Sequence, residues 1–172
     1  MANQPQQPDT ALHNASHLMQ YHDLIESIVA AMDARDAYTA KHSDRVADMV
    51  LVLATALDLS EDETTLLHMA AHLHDIGKIA VPDSVLRKAG PLTRPEWEEM
   101  RRHPVTGYEI LRKVDDFKGI ALLVRHHHER WDGRGYPDGL SGHDIPPGSR
   151  VIAVADSIDA MMSSRSYRPA MT

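Results

Sequence analysis

Residues 120–128 read IALLVRHHH. Counted from Ile120, the positions three, four, seven and eight along are Leu123, Val124, His127 and His128, and on a helix these share one face. An apolar stripe therefore runs directly into a pair of imidazoles. His126 turns about 240° away from Ile120, toward solvent, at 100° per residue. The segment has none of the alternation that marks a half-buried strand. It reads as a helix whose core-facing side ends in polar chemistry.

The same period recurs on both sides of it. Leu24, Ile25, Ile28, Val29 and Met32 form one stripe, and Val46, Met49, Val50, Leu53 and Leu57 form a second that ends near Asp58. Ser60 with Glu63 makes a capping box before Leu66, Leu67, Ala70 and His74, and Gly77 is the expected end of that helix. Residues 78–90 read as a loop or short turn. Thr93 with Glu96 opens a further helix through Trp97 and Met100, and Pro104 forces a kink or restart at His103. Tyr108, Ile110 and Leu111 follow. Residues 132–150, DGRGYPDGLSGHDIPPGSR, are too rich in Gly and Pro for anything but an irregular loop. A last helix carries Val151, Val154, Ala155, Ile158 and Met162. The fold class is all-α. Residues 1–20, polar and Gln/Pro-rich, read as a flexible arm or linker, leaving residues 21–172 as one domain.

Composition narrows the chemistry. With 18 Lys+Arg against 25 Asp+Glu in 172 residues, the net charge of −7 provides no broad field for a DNA or RNA polymer. No apolar run reaches the roughly 18 residues of a membrane span, and no signal segment opens the chain, so the expected address is cytoplasmic. The absence of Cys removes disulfides, thiolate metal sites and cysteine nucleophiles. Histidine, by contrast, occurs 12 times. Any metal here must be held by nitrogen and oxygen.

Several of those histidines point the same way. His42 precedes Val46 and Met49 on their stripe, His74 extends the face of Leu67, Ala70 and Ala71, and His127 and His128 close the stripe that begins at Ile120. His103 joins them at its kink. Separate partners for five inward imidazoles would strain a small core, since each unmet one costs roughly 1–3 kcal/mol. A shared metal centre satisfies all of them. Asp75 leaves the helix end about 100° from His74, and its two oxygens can bridge two ions as an imidazole cannot. Lys78, one turn later, is either a charge complementing the helix dipole or a contact for a phosphate oxygen. His13, His17, His22, His68, His72 and His143 lack this alignment and read as surface or linker residues.

Taken together, HxxRV at His42, LHDIGK at residues 73–78, His103-Pro104, HHERWDGRGYPDGL at residues 127–140 and ADSIDAMMSSRSYR at residues 155–168 closely resemble the HD-GYP domain. That family belongs to the HD superfamily of metal-dependent phosphohydrolases. The resemblance covers residues 21–172 and implies a helical HD bundle with an irregular GYP loop. It implies metal ligands at His42, His74, Asp75, His103, His127, His128 and Asp156, with Asp75 bridging. The helical wheel alone favours Asp159 over Asp156; the motif selects Asp156. Asp75 and Lys78 become catalytic residues, and Lys78, Arg165 and Arg168 contact the phosphates or base of the substrate. Gly135, Tyr136 and Pro137 form the GYP signature, read either as a rigid rim of the site or as a docking point for GGDEF-domain proteins.

The implied reaction is hydrolysis of cyclic di-GMP to pGpG, with GMP as a slower product, by attack of a hydroxide bridging two divalent ions. The ligand set suits iron or manganese at least as well as zinc. Tyr38 stands where some members place a Glu four residues before the first ligand, so two metals are expected rather than three; Asp36 substitutes poorly. The chain also stops soon after Arg168, before one or two helices usual in the family. Two other readings stay open: a metal- or nucleotide-binding signalling module of low turnover, and an HD hydrolase acting on another cyclic dinucleotide or on a nucleotide.

Overall fold

Ser60 accepts a hydrogen bond from the Glu63 amide while the Glu63 carboxylate accepts one from the Ser60 amide, so the expected capping box is formed. A second, at Thr93 and Glu96, is formed as well. In this computed structural model, residues 19–35 and 41–163 are described. The readings made for most of the 1–20 arm, for Asp36 and Tyr38, for Arg165 and Arg168, and for the chain's end fall outside them.

The helices are α1 (His22–Arg35), α2 (His42–Ala56), α3 (Glu61–Leu73), α4 (Asp83–Leu86), α5 (Arg94–Met100), α6 (His103–Leu111), α7 (Lys118–His126) and α8 (Pro147–Met162). No strand occurs among the described residues. The protein is all-α. None of these helices is long and apolar enough to cross a membrane.

α3 lies at the centre, with α1, α2, α7 and α8 packed around it. That position explains why Leu67, Met69, Ala70, Ala71, His72 and Leu73 are all buried: a helix enclosed on most sides has no polar face to spare. α2 contributes Val46, Ala47, Val50 and Ala54, and α7 contributes Ile120, Ala121 and Val124. Gly148 sits where an added Cβ would lie 2.9 Å from a Leu123 methyl, so α8 approaches α7 closely, and the Ser149 hydroxyl donates to the Leu123 carbonyl.

Some boundaries differ from the sequence reading. α3 stops at Leu73 rather than Gly77, and a 3₁₀ helix, Ile76–Ala80, follows it. Residues 78–90, read as a loop or short turn, carry the end of this 3₁₀ helix and the four-residue α4. α8 begins at Pro147, inside the expected irregular stretch, because proline at the first turn costs a helix no hydrogen bond. Its buried ridge is Ile152, Ala155 and Asp159, whereas Val154 and Met162 are exposed. Leu24 is likewise exposed while Ile25 and Val29 carry the buried side of α1.

Candidate metal centre

Gly77 brings the two halves of the site together. A Cβ there would lie 1.9 Å from the His103 carbonyl oxygen and 2.6 Å from the Gly107 amide nitrogen, so only glycine lets the 3₁₀ turn rest on α6. That contact sets Asp75, just before the turn, against His103 at the start of α6. His74 occupies the C-cap of α3, and His127 the C-cap of α7. His42 is the first residue of α2, and Asp156 lies on α8. The metal-ligand residues expected from sequence all fall in one place.

The imidazoles are oriented before any ion arrives. Nδ1 of His74 donates to the Ala71 carbonyl at 2.7 Å, Nδ1 of His103 to Met100 at 2.8 Å, and Nδ1 of His127 to Val124 at 2.6 Å. A carbonyl oxygen can only accept, so in the neutral ring the proton is on Nδ1 and the lone pair on Nε2. His42 is held the same way by a carboxylate, with Nδ1 2.7 Å from Asp159 Oδ2. All four Nε2 atoms face the centre of the cluster.

Asp75 stands between them with its oxygens divided. Oδ2 lies 3.4 Å from His74 Nε2 and 3.8 Å from His42 Nε2, while Oδ1 lies 3.3 Å from His103 Nε2. Asp156 Oδ1 is 3.4 Å from His42 Nε2, and His103 and His127 approach through their Nε2 atoms at 3.4 Å. The donors fall into two adjacent groups. His42, His74 and Asp75 form one, and His103, His127 and His128 the other. Lone pairs facing carboxylate oxygens with no proton between them repel, and a cation reconciles them. His74 Nε2 is buried and without a hydrogen bond, the kind of orphan a metal satisfies.

The electrostatics agree. Burial opposes ionisation of Asp75, but Lys78, His74 and His103 outweigh it and hold this carboxyl well below the usual carboxylate range. Asp156 is likewise buried, yet the His42 hydrogen bond and nearby His74 bring it down to about 2. Burial pushes His103 down to about 4 and His128 to about 3, and His127 well below an ordinary histidine. Burial opposes a charge on His74, but Asp75 and Asp156 outweigh it and raise that ring above an ordinary histidine, a proton's charge standing where an ion's would. The other groups are carboxylates and neutral imidazoles at neutral pH, the protonation states that metals require. Lys78 Nζ lies 2.5 Å from Asp75 Oδ2, at the edge of the cluster.

Both aspartates of α8 have a place. Asp156 reaches the cluster, as the motif indicates, and Asp159 is buried, as the helical wheel indicates. Asp159 lies one layer out, accepting from His42 and from the Arg45 guanidinium. Arg35 is a residue sequence reasoning missed. Its guanidinium donates to the carbonyls of Lys78, Ile79 and Val81 and to Asp83, fixing the backbone behind Lys78. Glu129 was also missed; buried after the histidine pair, it accepts from the amides of Asp138 and Gly139.

That last contact belongs to the Gly/Pro loop. An added Cβ at Gly135 would lie 2.3 Å from the Arg130 amide nitrogen, so the chain turns back tightly there. The Tyr136 ring lies 4.8 Å from that of His128, with the Arg101 guanidinium 4.7 Å from its centroid. Asp138 pairs with Arg125 through two 2.7 Å hydrogen bonds and lies 3.0 Å from His126 Nε2. His126 is thus buried, contrary to its expected solvent exposure, because the returning loop covers the far side of α7. His72 is buried too, and His22 and His68 are half-buried beside it, so these three are not plain surface residues.

The HD domain family matches residues 23–172, and the chain belongs to that family. Among its relatives is the cyclic di-GMP phosphodiesterase response regulator RpfG of Xanthomonas campestris, 45% identical over 87% of this chain and 40% of that protein. The 3'3'-cGAMP-specific phosphodiesterase 3 of Vibrio cholerae is 40% identical over 91% of this chain and 35% of its own length. A cyclic di-GMP phosphodiesterase of Thermotoga maritima is 40% identical over 85% and 40%. This chain spans about two fifths of the length of these relatives. Among solved structures it is similar in fold to Bd1817, an HDG"Y"P protein from Bdellovibrio bacteriovorus, at a TM-score of 0.64 and 20% identity, covering 92% of this chain and 60% of that one.

Proposed function

We propose that this chain hydrolyses a phosphodiester bond of a cyclic dinucleotide, cyclic di-GMP foremost, giving linear pGpG and more slowly GMP. The observation that carries the reading is Asp75, whose two oxygens face two separate sets of imidazole nitrogens. His42, His74, Asp75 and Asp156 would hold one divalent ion, and Asp75, His103, His127 and His128 a second. Iron and manganese suit these donors at least as well as zinc. When bound, such a pair supplies an acidified water as nucleophile and positive charge for the phosphoryl oxygens.

The chain's own residues do the rest. The carbonyls of Ala71, Met100 and Val124 and the carboxylate of Asp159 hold four rings in the ligating tautomer, as outer partners do in metal sites. Lys78 offers a cation beside Asp75 for a phosphate oxygen, where preorganised charge stabilises a transition state. Arg165 and Arg168 are assigned to the substrate's phosphates or base on the motif alone. Tyr136, resting on His128, makes the GYP loop a wall of the site. A GGDEF-domain partner would meet this loop beside Trp131, which is 60% exposed. A Trp131→Ala variant that binds such a partner unchanged would remove that assignment.

The relatives' names favour two substrates, and one experiment separates them. Protein loaded anaerobically with manganese or iron is given cyclic di-GMP or 3'3'-cGAMP at equal concentration, and the products are identified. Faster formation of pGpG supports the reading as stated. Faster cleavage of 3'3'-cGAMP reassigns the substrate, and binding without cleavage of either makes the chain a signalling module.

A further inference from the structure

On the opposite side of the α2–α3 pair lies a second group of imidazoles that the proposed reaction does not use. His68 and His72 are four residues apart on α3 and so share a face, one turn above the other. His22, the first residue of α1, closes on them from the neighbouring helix. Each of the three offers a ring nitrogen, and these nitrogens lie within 4.8 Å of one another, the same spread as in the groups of the main centre. The His68 and His72 rings are 4.7 Å apart, and His22 lies 6.2 Å from His68 and 6.1 Å from His72, centroid to centroid.

His72 supplies a separate observation. It is 7% exposed, and its Nδ1 is buried with no hydrogen-bond partner; Asp44 Oδ1 stands off at 3.6 Å. A buried ring nitrogen left unpaired within reach of two other imidazoles is a position that a cation would satisfy. The surrounding cleft carries Glu26, Asp33, Asp44 and Asp48 against a single Lys41, so its field favours positive charge. His22 Nδ1 already lies 3.5 Å from Glu26 Oε1, and Asp44 stands beside His72, in the positions that outer carboxylates take around metal-ligating histidines.

We infer that His22, His68 and His72 form a second, independent binding site for a divalent transition ion. Three imidazoles suit zinc, cobalt, nickel or copper rather than magnesium or calcium. Ligand nitrogens around a tetrahedral zinc are about 3.3 Å apart, from bonds of roughly 2.0–2.1 Å. Closing the group to that size takes rotation of the half-exposed His22 and His68 onto the fixed His72. The open side of the cleft leaves the remaining position to water. Because residues two apart on a helix point about 200° apart, His72 and His74 face opposite ways, as do Asp44 and His42. An ion here would sit back to back with the main centre and tie the amino end of α1 to α3.

The test uses the tag-free chain and cobalt(II), whose visible absorption reports coordination. Asp75→Ala removes the carboxylate shared by both halves of the main centre, and its cobalt absorption is the reference. Combined with His68→Ala or His22→Ala, it should bind one equivalent of cobalt less per chain. Neither His22 nor His68 is fully buried, and circular dichroism verifies that each variant is folded. As a second measure, wild type saturated with zinc should hold one more ion per chain than His68→Ala. Equal cobalt binding in Asp75→Ala and the double variants, or equal zinc content in wild type and His68→Ala, would overturn the inference.

Discussion

At the scale of single residues, the site depends on which atom of each ring carries the proton. Asp159 never reaches the centre of the cluster, yet it fixes the tautomer of His42 from outside. Replacing an outer partner of this kind typically weakens metal affinity 10–100-fold. Asp159→Asn is therefore expected to keep the fold but release metal at 10–100-fold lower chelator concentration; unchanged retention would show that Arg45 and packing suffice. Lys78→Ala should leave metal content intact and lower turnover by about 100-fold, the order seen for one preorganised transition-state donor. Unaltered turnover would reduce Lys78 to a charge at the end of a helix. These assignments were unequally legible in the sequence. Helical phase alone brought His42, His74 and His127 inward, but it sent His126 to solvent, because a wheel describes one helix and not the loop that returns over it. Phase ranked Asp159 above Asp156, and Asp159 is indeed buried, but phase does not separate a ligand candidate from the carboxylate that holds His42 behind it.

At the scale of elements, glycine decides two close approaches. Gly77 lets the 3₁₀ turn touch α6, and Gly135 lets the GYP loop fold back on Glu129 and Arg130. Gly135→Ala should push Tyr136 off His128 and loosen the Asp138 contacts. The expected result is raised KM for the dinucleotide and faster proteolysis between residues 130 and 142, with α-helical content preserved. An unchanged cleavage pattern would show that the loop has room to yield. The capping boxes at Ser60 and Thr93 were readable because their signal is local. The end of α3 was not. Gly77 looks like a terminator, yet the helix stops four residues sooner so that Asp75 can turn toward His103.

At the scale of the whole molecule, the buried imidazoles link folding to proton concentration. His103 and His128 stay neutral down to about 4 and about 3, whereas an unfolded histidine takes up a proton near 6.5. Below 6.5 the unfolded chain binds protons that the folded chain refuses, so stability is full above that value and declines as pH falls toward 4. Each such histidine contributes up to about 1.4 kcal/mol per pH unit across that window. The thermal midpoint of chelated protein should fall steadily from pH 7 to pH 4.5; a flat or rising profile would contradict the buried neutral state. The global arrangement was the part hardest to read. The sequence shows which faces are apolar, but the burial of α3 on nearly all sides, and with it His72, arises only when four other helices close around it.

The grip of Arg35 on the carbonyls of Lys78, Ile79 and Val81 makes α1 and the backbone behind Lys78 one mechanical piece. A twist applied to the amino end of α1 would be delivered, a helix length away, to the lysine proposed to meet the substrate. Leverage of that kind would let a remote input tune the proposed reaction without disturbing a single candidate metal ligand.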